Sequence, residues 1–136
     1  MKDFKALYTL LMAFTIASLT SCIAVVETPE YGLTDGVWTG DVGMVDDFGE
    51  PVYSVFRFFP DGRGTEAQYY MSDDAYYNSY SFVWNRNRGR SKIYLDYGYD
   101  GVSTMENVDI YGRYMTGVFY FDDFSRGFKF RLVREY

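Results

Sequence analysis

From residue 36 onward the chain is a succession of short runs, each closed by residues that favour turns. No stretch of 10 or more residues after the first 22 carries a helical period. Eight candidate strands follow, at 36–44, 51–59, 64–71, 79–85, 92–97, 103–110, 114–121 and 125–134. The breaks carry turn chemistry: Asp47-Phe48-Gly49, Pro60-Asp61-Gly62, Asn87-Arg88-Gly89, Asp100-Gly101, Tyr111-Gly112 and Asp122-Asp123. Glycine accepts the backbone angles tight turns need, and Asp and Asn bond to the backbone just ahead of them. Within the runs, apolar and polar residues alternate. Phe128, Phe130 and Leu132 alternate with Lys129, Arg131 and Val133, and Tyr80, Phe82 and Trp84 with Ser81, Val83 and Asn85. Such a period of two buries one face of a sheet. The fold class is therefore all-β: an eight-stranded antiparallel up-and-down meander. Closing it into a barrel removes its exposed edges.

The alternation proposes an interior of Trp38, Val42, Met44, Phe56, Phe58, Tyr69, Met71, Phe82, Trp84, Ile93, Leu95, Tyr97, Met115, Phe119, Phe121, Phe128, Phe130 and Leu132. Eight strands make a barrel just wide enough to be filled by side chains or to hold one small ligand. So many large residues favour a filled interior. Gly40, Ala67 and Gly117 are the small inward positions at which a pocket could remain.

The N-terminus is of another kind. Lys2 and Lys5 precede an almost unbroken apolar run from Ala6 to Ala17, and Leu19-Thr20-Ser21-Cys22 closes it. The run is shorter than the roughly 18–20 residues of a membrane-spanning helix. The pattern resembles a bacterial lipoprotein signal with its lipobox. That resemblance implies a signal peptide at 1–21, acylation of Cys22, a tether over 22–35 and a barrel domain over 36–136. It makes the membrane a partner through the lipid on Cys22. Ile23, not Asp, follows the cysteine, which by analogy favours the outer membrane. No acidic residues are packed directly behind Cys22, so a periplasm-facing protein is expected.

Gly36-Val37-Trp38 at the start of the meander resembles the first strand of the lipocalin-like, or calycin, barrels. Phe58-Phe59-Pro60-Asp61-Gly62-Arg63-Gly64, Phe82-Val83-Trp84 and Met115-Thr116-Gly117 extend the likeness to the small lipocalin-like lipoproteins common in Bacteroidetes. The resemblance covers about residues 36–134. It implies that Trp38 closes one barrel end and that Arg131 or Arg134 packs across it, a cation–π contact of about 0.5–2 kcal/mol. Unlike secreted lipocalins, the chain is short and lacks their disulfide and flanking helix.

Charge is sorted along the meander, whose successive links alternate between the two ends. One set is acidic: Asp46, Asp47 and Glu50, then Asp73 and Asp74, Asp100, and Asp122 and Asp123. The other is basic: Arg63, then Arg86, Arg88, Arg90 and Lys92, then Arg113, with Asp61 the exception. The basic end, where strand one begins, suits an anionic membrane surface, or else simply carries solvated loop charges. The acidic end carries Tyr69, Tyr76, Tyr77, Tyr97 and Tyr99 beside Asp73, Asp74, Asp122 and Asp123. It is the candidate mouth for a small apolar, sugar-like or polyamine ligand.

Several classes are disfavoured. The chain has no histidine, one cysteine and a net charge of −6. That removes the usual zinc and nucleophile-activating residues and argues against nucleic acid. Phosphate loops, nucleophile elbows and metal-ligand spacings are missing from the sequence, so no catalysis, cofactor or metal is expected. Two functions remain: a small-molecule carrier of the cell envelope, or a filled-core structural or interaction module with an envelope protein partner.

Overall fold

The computed structural model describes residues 32–136, apart from the side chain of Arg88. The expected signal, Cys22 and most of the expected tether lie outside these residues. The strands are β1 (Val37–Gly40), β2 (Val52–Phe58), β3 (Arg63–Tyr70), β4 (Tyr76–Asn87), β5 (Lys92–Asp96), β6 (Val102–Tyr111), β7 (Tyr114–Tyr120) and β8 (Phe128–Glu135). Each pairs antiparallel with its neighbour in sequence, and β1 also pairs with β8, so the sheet closes into a barrel. The eight-stranded all-β barrel expected from alternation and turns is the fold the chain adopts. Its first strand is shorter than expected. The Asp41 carboxylate accepts the Gly43 N–H at 2.8 Å, which turns the chain at that point and tucks Val42 into the core.

The end holding the β2–β3, β4–β5 and β6–β7 links is sealed. Leu33 is fully buried, and its carbonyl accepts the Trp38 indole N–H at 2.9 Å. Residues 32–35, expected as the last part of a tether, therefore belong to the domain. The reason is that Leu33 covers apolar surface an open barrel end would leave wet. Arg134, directly across from Trp38 in the β1–β8 register, lays its guanidinium 4.5 Å from the centre of the Trp38 ring. Asp35 lies 3.6 Å from the Arg134 Nη1. Arg131, the other candidate, faces outward over Tyr114 at 4.0 Å. Its strand position is odd where Arg134 is even, and a period of two sends them to opposite faces. Gly36 of the Gly-x-Trp motif sits at φ +83°, and a Cβ there would fall 2.6 Å from the Glu135 carbonyl. The motif thus needs glycine where β8 passes close by.

Above this seal the interior is solid. Phe82 packs edge to face on Phe56 and Phe58, which stack on each other, in a core with Ile93, Leu95, Met105, Met115 and Leu132. Two of the three expected gaps are filled: Leu132 packs against Gly40, and the Phe130 ring lies over Gly117. A bulge between Glu106 and Asp109, with Asn107 at φ 53°, lets Met105 and Val108 both face the core.

Strand β3 is the main departure. Gly64, Glu66 and Gln68 point inward, while Ala67 and Tyr69 point outward and Met71 is exposed in the link beyond. The β2–β3 turn decides this. Its hydrogen bonds pair Phe58 with Gly64 and Phe56 with Glu66, which puts the even positions of β3 on the face of the buried phenylalanines. Gly64 is required there, because any Cβ would run into the Phe82 ring. Outside, Tyr69 stacks on Tyr53 at 5.6 Å.

If Leu33 seals the barrel, Leu33→Ala should cost about 2–5 kcal/mol in denaturant unfolding, the usual toll of a buried leucine. A cost near zero would place residues 32–35 outside the folded domain.

Candidate functional site

The opposite end of the barrel is open. A cavity of about 130 Å³ lies there, lined by Met44, Glu66, Gln68, Tyr80, Tyr97, Asp100, Ser103, Phe119 and Phe121. Four strands contribute through their inward faces. Strand β3 supplies Glu66 and Gln68, β4 Tyr80, β6 Ser103 and β7 Phe119, while the neighbouring links supply Met44, Tyr97, Asp100 and Phe121.

The cavity floor is a hydrogen-bonded cluster around Glu66, which is 2% exposed. The Ser54 hydroxyl donates to Glu66 Oε2 at 2.7 Å and the Gln68 amide donates to the same oxygen at 2.8 Å. The Tyr97 hydroxyl donates to Oε1 at 2.5 Å. Charge-assisted bonds of this kind are short and strong. Burial, then the adjacent Glu66 charge, pushes the Tyr97 phenol well above its ordinary value. Tyr97 therefore stays neutral and keeps donating. Its ring is held by Phe82 at 5.4 Å and Tyr80 at 6.1 Å, both edge to face.

A second structured element frames the mouth. The β1–β2 link is organised by Asp46, whose Oδ1 accepts the N–H groups of Phe48 at 2.9 Å and Glu50 at 2.8 Å. Its Oδ2 accepts the Tyr70 hydroxyl at 3.0 Å. Burial works against the Asp46 charge, but the hydrogen bonds from Glu50, Phe48, Tyr70 and Gly49 outweigh it and hold the carboxyl below its ordinary value. Burial and the Asp46 carboxylate push the Tyr70 phenol up to about 12.

Of the residues expected at the mouth, only Tyr97 lines the cavity. Tyr69 and Tyr76 meet edge to face at 5.9 Å on the outer surface, Tyr77 packs on Tyr70 at 5.4 Å, and Tyr99 is fully exposed. The acidic residues of the links serve as turn formers. Asp73 accepts the Ala75 N–H at 3.0 Å, Asp74 sits at φ 58°, and Asp122 accepts the Phe124 N–H at 2.9 Å with Asp123 exposed beside it. Sequence reading missed Glu66, Gln68, Ser54 and Ser103. The signal that locates the first two is the Pro60-Asp61-Gly62 turn, from which counting back fixes the face of β3.

At the sealed end, Arg63, Arg90 and Arg113 are exposed, Arg86 is half-buried within β4, and Arg88 begins the short 3₁₀ turn Arg88–Arg90. Lys92 is paired with Glu106 at 3.2 Å. Among the described residues, no group of three or more His, Cys, Asp or Glu is placed to hold a metal ion. No family model matches the chain, and neither does any curated protein or solved structure.

The Asp46–Tyr70 pair makes stability depend on pH at both extremes. Asp46 has a depressed folded-state value, so its contribution is present above its ordinary value of 3.8 and is lost as pH falls below it. Tyr70 has a raised one, so its contribution is complete below pH 10 and fades as pH rises toward about 12. Tyr70→Phe should therefore flatten the loss of stability above pH 10 by up to about one proton's worth of slope. Asp46→Asn should do the same below pH 4. Unfolding curves at stepped pH would read both, and slopes identical to wild type would refute the pairing.

Proposed function

We propose that this protein is a lipid-anchored envelope barrel of the lipocalin-like type that binds one small molecule at its open end and catalyses no reaction. The observation that carries the binding reading is the single-ended cavity. One end of the barrel is plugged by Leu33, Trp38 and Arg134, while the other holds about 130 Å³ walled by aromatic rings over a buried polar floor. Concave, largely apolar sites with a few fixed polar groups are the usual form of small-molecule pockets. The volume is modest. It is similar to the ~150 Å³ cavity that accepts benzene in an engineered protein, so the ligand is small, or only one end of it enters.

The Gly-x-Trp glycine and the Trp38–Arg134 stack support the lipocalin-like reading, and the lipobox pattern at Cys22 supports the anchor. Gly32–Asp35 pack at the sealed end, beside exposed Arg63, Arg90 and Arg113. The basic side chains at this end suit an anionic lipid surface.

A second reading, an interaction module of the envelope, is favoured by Phe48, Tyr99 and Phe124. These stand almost fully exposed on three links of the open end. Large apolar groups grouped on a surface commonly mark a protein contact.

Native mass spectrometry of the full chain purified from its expressing cells separates the two. A bound small-molecule mass that disappears on denaturation is expected; a bare chain would shift the conclusion to the interaction module. Labelling with radioactive palmitate should mark the wild-type chain and not Cys22→Ser. Equal labelling of both, or of neither, would remove the anchor from the account.

A further inference from the structure

Resting on the reading of the open-end cavity as a ligand site, we infer that its ligand is a small organic cation, with an ammonium group seated against Glu66. The hydrogen-bond directions around the cavity carry this. The Tyr97 hydroxyl spends its hydrogen on Glu66 Oε1, and the Ser103 hydroxyl spends its own on the Phe121 carbonyl at 2.8 Å. What these two oxygens keep is lone pairs. A carboxylate offers about four acceptor positions. Ser54 and Gln68 fill two on Oε2 and Tyr97 fills one on Oε1, so one position on Oε1 is left. Tyr80, which accepts from Asn78 at 3.1 Å, keeps its hydrogen and is the one hydroxyl lining the cavity with a proton to give. Against the Tyr80 hydroxyl and the second N–H of the Gln68 amide stand the free lone pairs of Glu66, Tyr97 and Ser103 and the Asp100 carboxylate. Acceptors outnumber donors, and an ammonium group, which only donates, matches that balance.

Charge points the same way. Glu66 is 2% exposed, and its three hydrogen-bond partners are all neutral side chains. A buried carboxylate is costly unless an opposite charge compensates it. An entering cation supplies that charge, whereas an anion would meet Glu66 and Asp100 together. The walls also suit a cation. Tyr80, Tyr97 and Phe119 line the cavity, and aromatic faces attract ammonium groups at contact distance. The acidic links around the mouth add a long-range field that draws cations in.

The test is calorimetric titration of the purified full chain with three probes of equal length: n-butylammonium chloride, 1-butanol and sodium butyrate. Butylammonium should bind at least about tenfold more tightly than butanol, because both can donate to Glu66 but only the ammonium adds an opposite charge to that hydrogen bond, and butyrate should bind most weakly. In Glu66→Gln the ammonium preference should fall to within about threefold of butanol, because the carboxylate charge that distinguishes the two probes is gone. The wild-type series decides without relying on that variant's folding. Butanol binding as well as or better than butylammonium would overturn the cationic ligand while leaving the cavity as a site. Binding of none of the three would overturn the cavity reading as well.

Discussion

The open half of this barrel is organised by one buried carboxylate. Glu66 gathers donors from β2, from its own strand and from the β5–β6 link, through Ser54, Gln68 and Tyr97. A polar group at that depth would be destabilising if left alone, since burial strips its hydration. With three donors it becomes a fixed node. It holds Tyr97 upright against Phe82 and Tyr80, and it marks the level at which the packed apolar interior stops. Below it lie phenylalanine, leucine and methionine side chains, and above it lies the cavity. The same residue that terminates the core therefore builds the floor of the candidate site.

The two ends of the barrel are made by different physics. At the sealed end, area is covered. Leu33 is buried, Trp38 donates back to the Leu33 carbonyl, and Arg134 stacks across the indole with Asp35 beside it. Trp84 adds a clasp on the β2–β3 turn, its indole N–H shared between the Phe59 carbonyl at 3.0 Å and the Arg63 carbonyl at 2.9 Å. At the open end, carboxylates order the backbone of three links, as Asp61 does for the Arg63 N–H at the sealed end. Asp46, Asp73 and Asp122 each accept N–H groups from the residues just ahead of them. The acidity of those links thus has a local structural cause, and it also sets the electrostatic character of the mouth. Hydrogen bonds thus order both the loops and the floor around the cavity.

The fold was legible because its signals are local. Turn residues recur at the links and a period of two is clear in several segments, and eight such segments with short links admit few arrangements. The Gly-x-Trp glycine was legible too, and the close passage of β8 at Gly36 explains it. The site was only partly legible, because strand β3 offers two faces of similar appearance. Ala67, Tyr69 and Met71 look like the inward set, and Glu66 and Gln68 look like solvent residues. The turn register overrides that appearance, and a slip of one residue exchanges the faces completely. The same rule chose Arg134 over Arg131. Tyrosines at the acidic end were misplaced for a related reason. A phenol is content on an outer sheet surface, where Tyr53, Tyr69 and Tyr76 cover one another. Aromatic enrichment therefore marks the sheet and not its inside.

The measurement that tests the central claim most directly is a double-mutant cycle on the floor of the cavity. Unfolding free energies of wild type, Glu66→Gln, Tyr97→Phe and the double variant isolate the energy that the two groups share. A buried charge-assisted bond predicts a coupling of about 0.5–3 kcal/mol, the range seen for residues in one hydrogen-bond network. Strictly additive effects would mean that Tyr97 and Glu66 do not hold one another, and the carboxylate would no longer be the node on which the open half of the barrel rests.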